Sequence, residues 1–119
     1  MKELTRAAHA LSDETRVRIV NLIIERECCV CEVMQALNIS QTRASRNLKI
    51  LYDAGFLNVR NDGLFTLYSI NPENNNNFRT HLLQAVIKDL QESSTARKDL
   101  QQLEKAKRIG PGCASRLIK

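Results

Sequence analysis

Leu37-Asn38-Ile39-Ser40-Gln41-Thr42-Arg43-Ala44-Ser45-Arg46-Asn47-Leu48 is the stretch on which the fold turns. Leu37 to Ser40 reads as a tight turn, and the Ser40 hydroxyl is placed to cap a helix whose buried side is Ala44, Leu48 and Leu51. Just upstream, Val30, Val33, Met34 and Leu37 recur at helical spacing, and the pattern stops at Asn38. Two short helices joined in this way predict a helix-turn-helix.

Working outward, Ala54-Gly55 ends the second of these helices, glycine supplying the left-handed conformation that a helix C-terminus commonly needs. The period then changes. Phe56 to Arg60 and Leu64 to Ile70 alternate like strands around Asn61-Asp62-Gly63, and Asp-Gly is a strong hairpin signal. Toward the N-terminus, Leu4, Ala7, Ala8 and Leu11 mark a first helix. Ser12 is then placed to cap a second that runs to about Arg26, with Val17, Ile19, Val20, Leu22, Ile23 and Ile24 as its broad apolar band. Toward the C-terminus, Asn71-Pro72-Glu73 and the Asn74 to Asn77 run read as a connector, followed by a helix from Phe78 carrying Leu82, Leu83, Val86, Ile87 and Leu90. A further amphipathic piece with Leu100, Leu103 and Ala106 reads as its continuation past Ser93-Ser94. Gly110-Pro111-Gly112 breaks that pattern. The fold expected is mostly α with a β-hairpin, a winged helix-turn-helix. Residues 1–108 make one domain, and 109–119 a flexible tail carrying Cys113.

With 119 residues the chain has the size of one ordinary domain. An aromatic share of 4% with no Trp argues against a stacking platform for single-stranded nucleic acid. A net charge of +5 suits a polyanionic partner. Apolar runs are too short to cross a bilayer and the N-terminus lacks the apolar core of a signal peptide, so a cytoplasmic protein with no membrane partner is expected. In that reducing compartment four Cys read as ligands, redox groups or small buried hydrophobes rather than a disulfide framework.

Two sets of residues carry chemistry. Gln41, Thr42, Arg43, Ser45, Arg46 and Asn47 offer polar groups from the start of the helix after Ser40; Arg pairs bidentately with guanine, Asn and Gln with adenine. Lys49, Arg60 on the hairpin and Arg16 or Arg18 suit phosphates. The competing reading of this helix is a plain solvated face, and the order helix, turn, polar-tipped helix, basic hairpin favours the DNA reader. The second set is Glu27-Cys28-Cys29-Val30-Cys31-Glu32, three thiols in four positions. On a helix Cys28 and Cys31 converge, whereas Cys29 and Cys31 converge only on an extended backbone. A ligand held by Cys29 and Cys31 is therefore expected to unwind the first turn of the helix that supports the reader. Thiolates select soft, thiophilic ions. Met34 reads as a core gap-filler.

Ala10-Leu11-Ser12-Asp13-Glu14-Thr15-Arg16-Val17-Arg18-Ile19 resembles the opening signature of the ArsR/SmtB repressors, Cys29-Val30-Cys31-Glu32 is similar to their CVC(D/E) metal box, and Ser40 to Leu51 resembles their recognition helix. The likeness covers roughly residues 4 to 90. It implies a homodimer, joined through the first and last helices, that binds double-stranded operator DNA. In the arsenic-responsive members it implies capture of trivalent arsenic, arsenite, or of antimonite by three thiolates. The third Cys of those members falls three positions after the second, where this chain has Met34. That leaves Cys28 or Cys113 for the third ligand, Cys113 from the same or the partner subunit. The family's zinc site on the last long helix needs Asp and several His, and only His81 stands there, with His9 elsewhere.

The function expected is an arsenite-responsive repressor that leaves its operator when the thiols are occupied, with no enzyme activity and no catalytic cofactor. Two alternatives keep the fold and change the signal: oxidation of Cys28-x-x-Cys31, or capture of cadmium or lead. A thiol oxidoreductase or arsenate reductase fits poorly, since the cluster lies between helices and no Cys-x5-Arg phosphate loop is present.

Overall fold

The computed structural model describes residues 1–72 and 77–109. Glu73 to Asn76, expected in a connector, Gly110-Pro111-Gly112, expected to break the last helical pattern, and Cys113 lie outside them. Six helices and three strands follow in the order α1 (Lys2–Ala10), α2 (Glu14–Glu25), β1 (Cys28–Cys29), α3 (Val30–Leu37), α4 (Gln41–Asp53), β2 (Leu57–Asp62), β3 (Phe65–Ile70), α5 (Phe78–Leu90) and α6 (Ser94–Lys105) among the described residues.

Local chemistry sets most of the boundaries. Asp13, not Ser12, caps α2: its carboxylate accepts from the Arg16 N–H at 3.1 Å, while the Ser12 hydroxyl donates back to the His9 carbonyl. Ser40 caps α4 as expected, its hydroxyl accepting from the Arg43 N–H at 3.1 Å. Between them α3 ends at Asn38 in the left-handed region, φ 55 and ψ 54, a conformation Asn tolerates better than other side-chained residues. Gly55, at φ +90, turns the chain out of α4; a Cβ there would stand 2.7 Å from the Arg79 guanidinium, which is bonded to the Ala54 carbonyl.

α2, α3 and α4 share one core built on Ile19, Val20, Leu22, Ile23, Val33, Leu37, Ala44, Leu48, Leu51 and Phe56. Met34 lies in it, as the sequence predicts. The wing is a hairpin with Leu57 opposite Ile70 and Asp62 opposite Phe65, but the sheet has a third strand. β1 pairs antiparallel with β3, Cys28 opposite Tyr68 and Cys29 opposite Leu67, giving the order β1-β3-β2.

α6 does not continue α5. Ser93 caps it, accepting from the Ala96 N–H at 3.1 Å, and the helix packs back on α2 and α3 with Leu103 and Asp99 buried. Asp99 takes the Arg18 guanidinium bidentately, 2.8 Å at both oxygens. No helix among the described residues is long and apolar enough to cross a membrane.

Candidate thiol site and nucleic-acid interface

The first departure from the sequence reading concerns the backbone at the cysteines. Cys28 and Cys29 form a strand, so alternation sends their side chains to opposite faces of the sheet. Cys28 enters the main core with Ile19 and Val20 and is fully buried. Burial, reinforced by the Glu32 carboxylate, pushes its thiol up to about 12. Cys29 faces the other way and packs with Cys31 against Leu67, flanked by Phe65 and Ile109. The helical convergence of Cys28 with Cys31 is thus replaced by a meeting of Cys29 with Cys31. Cys29, extended at φ −95 and ψ 170, is the N-cap residue of α3 and Cys31 stands in its first turn. The two side chains come together without unwinding the helix, because the earlier of the two already lies outside it.

Glu32 organises this junction. Its carboxylate is 4% exposed and accepts from the Cys29 N–H at 2.9 Å, while the Cys29 sulfur faces the Glu32 N–H in a reciprocal capping box. The other partners are two guanidinium groups: Arg26, which also donates to the Leu103 carbonyl at 2.9 Å, and Arg108, at 3.0 Å. Burial pushes the Glu32 carboxyl up, but the Cys29 N–H and the two arginines outweigh it and the net shift is downward. Burial likewise raises the Cys29 thiol, against the pull of the Glu32 and Cys31 N–H groups. Cys31 is disulfide-bonded, which leaves Cys28 and Cys29 as the free thiols among the described residues. No group of three His, Cys, Asp or Glu among those residues stands together as a metal site. His81 and His9 are both exposed.

On α4, Gln41, Thr42, Arg43, Ser45, Arg46 and Lys49 are exposed. Asn47 is not among them. It is 7% exposed, accepts from Arg16 at 3.1 Å and donates to the Arg43 carbonyl at 2.9 Å, so it holds α4 against the start of α2 instead of pointing outward. The sequence carried the signal: 44, 47, 48 and 51 form one helical stripe, and Asn47 sits on its buried side. Arg43 also reaches inward, to the Thr15 hydroxyl at 2.8 Å. Arg16 is bonded to the Ala10 carbonyl and Arg18 to Asp99, so neither is a loose phosphate clamp. Arg60 on the wing is paired bidentately with Glu27, at 2.7 and 2.8 Å. Glu27 and the strand β1 are the elements that sequence reasoning missed. They bind the cysteine cluster directly to the wing.

The family model described as bacterial regulatory protein, arsR family, matches residues 13–59, which include the thiols, α3 and α4. The arsenic resistance transcriptional regulator ArsR2 of Pseudomonas putida is 49% identical over 65 residues, 54% of this chain and 56% of that protein. The chain thus spans little more than half the length of that relative. An arsenical resistance operon repressor of Staphylococcus xylosus is 32% identical over 72 residues, 60% of this chain and 69% of that protein. Among solved structures, the homodimeric winged helix-turn-helix DNA-binding domain Mb0332 of Mycobacterium bovis, described as a possible ArsR-family regulator, superposes with a TM-score of 0.65. It is 26% identical and matched over 78% of this chain and 82% of that one. The fold and these relatives are those of transcriptional regulators, not of enzymes. By sequence and by architecture, this chain belongs to the arsR family of bacterial regulatory proteins.

Proposed function

We propose that the chain is a cytoplasmic repressor that binds double-stranded operator DNA as a homodimer and releases it when trivalent arsenic, or antimony, is captured by Cys29 and Cys31. The observation that carries this reading is the pairing of those two side chains at a junction shared by the wing and α3. Capture requires the Cys31 disulfide to be reduced first by a dithiol reductant, which is itself oxidised to a disulfide. Each thiol then exchanges with a hydroxide on the trivalent centre, so that a sulfur–arsenic bond forms, an arsenic–oxygen bond breaks, and the thiol proton leaves with the hydroxide as water. The exchange conserves charge, which suits a site beside a buried carboxylate. A divalent cation on three thiolates would instead add a net negative charge there. The third ligand is assigned to Cys113, which lies outside the described residues, because Cys28 is turned into the other core cluster.

Operator recognition falls to Gln41, Thr42, Arg43, Ser45 and Arg46 on the exposed side of α4, with Lys49 and Arg60 toward phosphates. Asn47 is assigned to support of that helix. The dimer face is assigned to α1 and α5, which touch one another and leave Leu4 and Ile87 exposed; α6 is packed against its own chain.

A second reading, thiol oxidation as the signal, has one observation in its favour: Cys31 is disulfide-bonded, though not to Cys28, the partner expected from the sequence, which is a free thiol. Operator binding by fluorescence anisotropy separates the two. With reduced protein, arsenite should release the operator from wild type and from Cys28→Ser, and should fail with Cys29→Ser and Cys31→Ser. Normal release by both of the latter variants sinks the ligand assignment. Release by peroxide alone, with arsenite inert, selects oxidation.

A further inference from the structure

The Cys29 thiol and the disulfide-bonded Cys31 are almost closed to solvent, at 3% and 4%, and part of what closes them is a short run of chain beyond α6. At Ala106 the backbone leaves the helix and becomes extended, φ −71 and ψ 146. The side-chain amide of Gln35 then grips the next residue at both ends: its Nε2 donates to the Lys107 carbonyl at 2.7 Å and its Oε1 accepts from the Lys107 N–H at 3.1 Å. The same Nε2 lies 3.0 Å from the Cys31 carbonyl. Arg108 follows, pairing with Glu32 and reaching the Glu27 carbonyl at 3.3 Å. Ile109 then packs on the cluster of Cys29, Cys31 and Leu67.

We propose that Ala106 to Ile109 form a strap, latched by Gln35 and Glu32, that covers Cys29 and Cys31 and, once the Cys31 disulfide is reduced, must lift before a thiol ligand is captured. The inference rests on the reading of these two cysteines as the capturing thiols. Both latch residues are on α3, and of the strap Lys107 and Arg108 are exposed while Ala106 and Ile109 are half-buried, so lifting it uncovers little core beyond the cysteines. Lifting also removes Arg108 from Glu32, the residue that caps α3 at Cys29. Occupation of the thiols is thereby coupled to loosening of the end of α3 opposite the DNA-reading helix.

The test is the rate at which iodoacetamide alkylates each cysteine of the reduced protein, read residue by residue by peptide mass spectrometry. Lys107→Pro deletes the N–H that bonds to Gln35 without touching α3, and the extended Ala106 accepts a following proline. Arg108→Gln removes the second latch. Each variant should speed labelling of Cys29 and Cys31, on the order of tenfold, the factor expected for losing contacts of typical net strength. Cys28, buried on the other face, should keep its wild-type rate. Unchanged rates at Cys29 and Cys31 in both variants overturn the strap, as does a rise at Cys28 in step with theirs, which would signal general loosening. Accelerated labelling in a protein whose wild type holds its operator in arsenite upholds the strap and fells the proposed inducer instead.

Discussion

At its N-terminal end α3 is held by buried charge: Glu32 binds a backbone N–H and two guanidinium groups, one of them donated by the chain beyond α6. At its C-terminal end no side-chain charge among the described residues takes part. The helix closes through Asn38 in the left-handed region, and two residues later Ser40 opens α4. The eight residues of α3 separate Cys29 from that turn, and the helix is too short to absorb much strain along its length. The contrast assigns the ends different work. One is shielded and wired to several distant segments, as a ligand-sensing end should be; the other fixes the angle at which α4 leaves.

Breaking the charged end should produce the largest effect. Glu32→Ala removes the cap on Cys29 and strands Arg26 and Arg108. Bonds to a charged group, discounted because both arginines are about one third exposed, put the expected loss at about 2–3 kcal/mol. Urea denaturation measures it, and a loss under about 1 kcal/mol would mean that solvent replaces Glu32 easily. At the other end the effect should be smaller. Asn38→Ala keeps the turn but places an ordinary side chain at φ 55, at a cost of about 1 kcal/mol, whereas Asn38→Gly should be near neutral. If the two ends proved equally sensitive by the same titration, the asymmetry argued above would fail.

The same contrast explains what could be read from the sequence. The turn and α4 were legible because their determinants are local: Ser40 caps three residues ahead, Asn38 suits its own φ, and Ala44, Leu48 and Leu51 repeat at helical spacing. Asp62-Gly63 marked the hairpin for the same reason, Gly63 lying at φ +61. β1 was not legible. It is two residues long, and its partners, Leu67 and Tyr68, are some forty positions away, so nothing nearby in the chain distinguishes Cys28-Cys29 from the start of a helix. That one omission is why joining Cys29 and Cys31 was expected to unwind the helix, when Cys29 already lies outside it. Asn47 and Asp99 were readable and were passed over: each lies on the buried stripe of its helix, where a polar residue implies a partner, and each has an arginine. Ser93 likewise announced the break before α6, through the hydroxyl that caps it.

The smallest expected effect separates the wing from α4. Arg60 is the wing's candidate phosphate contact, yet Glu27 already binds it through two hydrogen bonds. The pair lies at the surface, where solvent screens it, so it should add little to stability, and Glu27→Gln should leave the urea midpoint almost unmoved. Its effect on DNA should nevertheless be measurable, because phosphate and carboxylate compete for one guanidinium. In wild type, binding by Arg60 must first break the Glu27 pair; in the variant it need not. Operator affinity should therefore rise modestly, and the salt dependence should steepen by up to about one phosphate contact. Arg60→Ala in the Glu27→Gln background should cancel both changes. Should Glu27→Gln alter neither affinity nor salt slope, Arg60 belongs to the junction rather than to the interface, and α4 alone carries the contact with DNA.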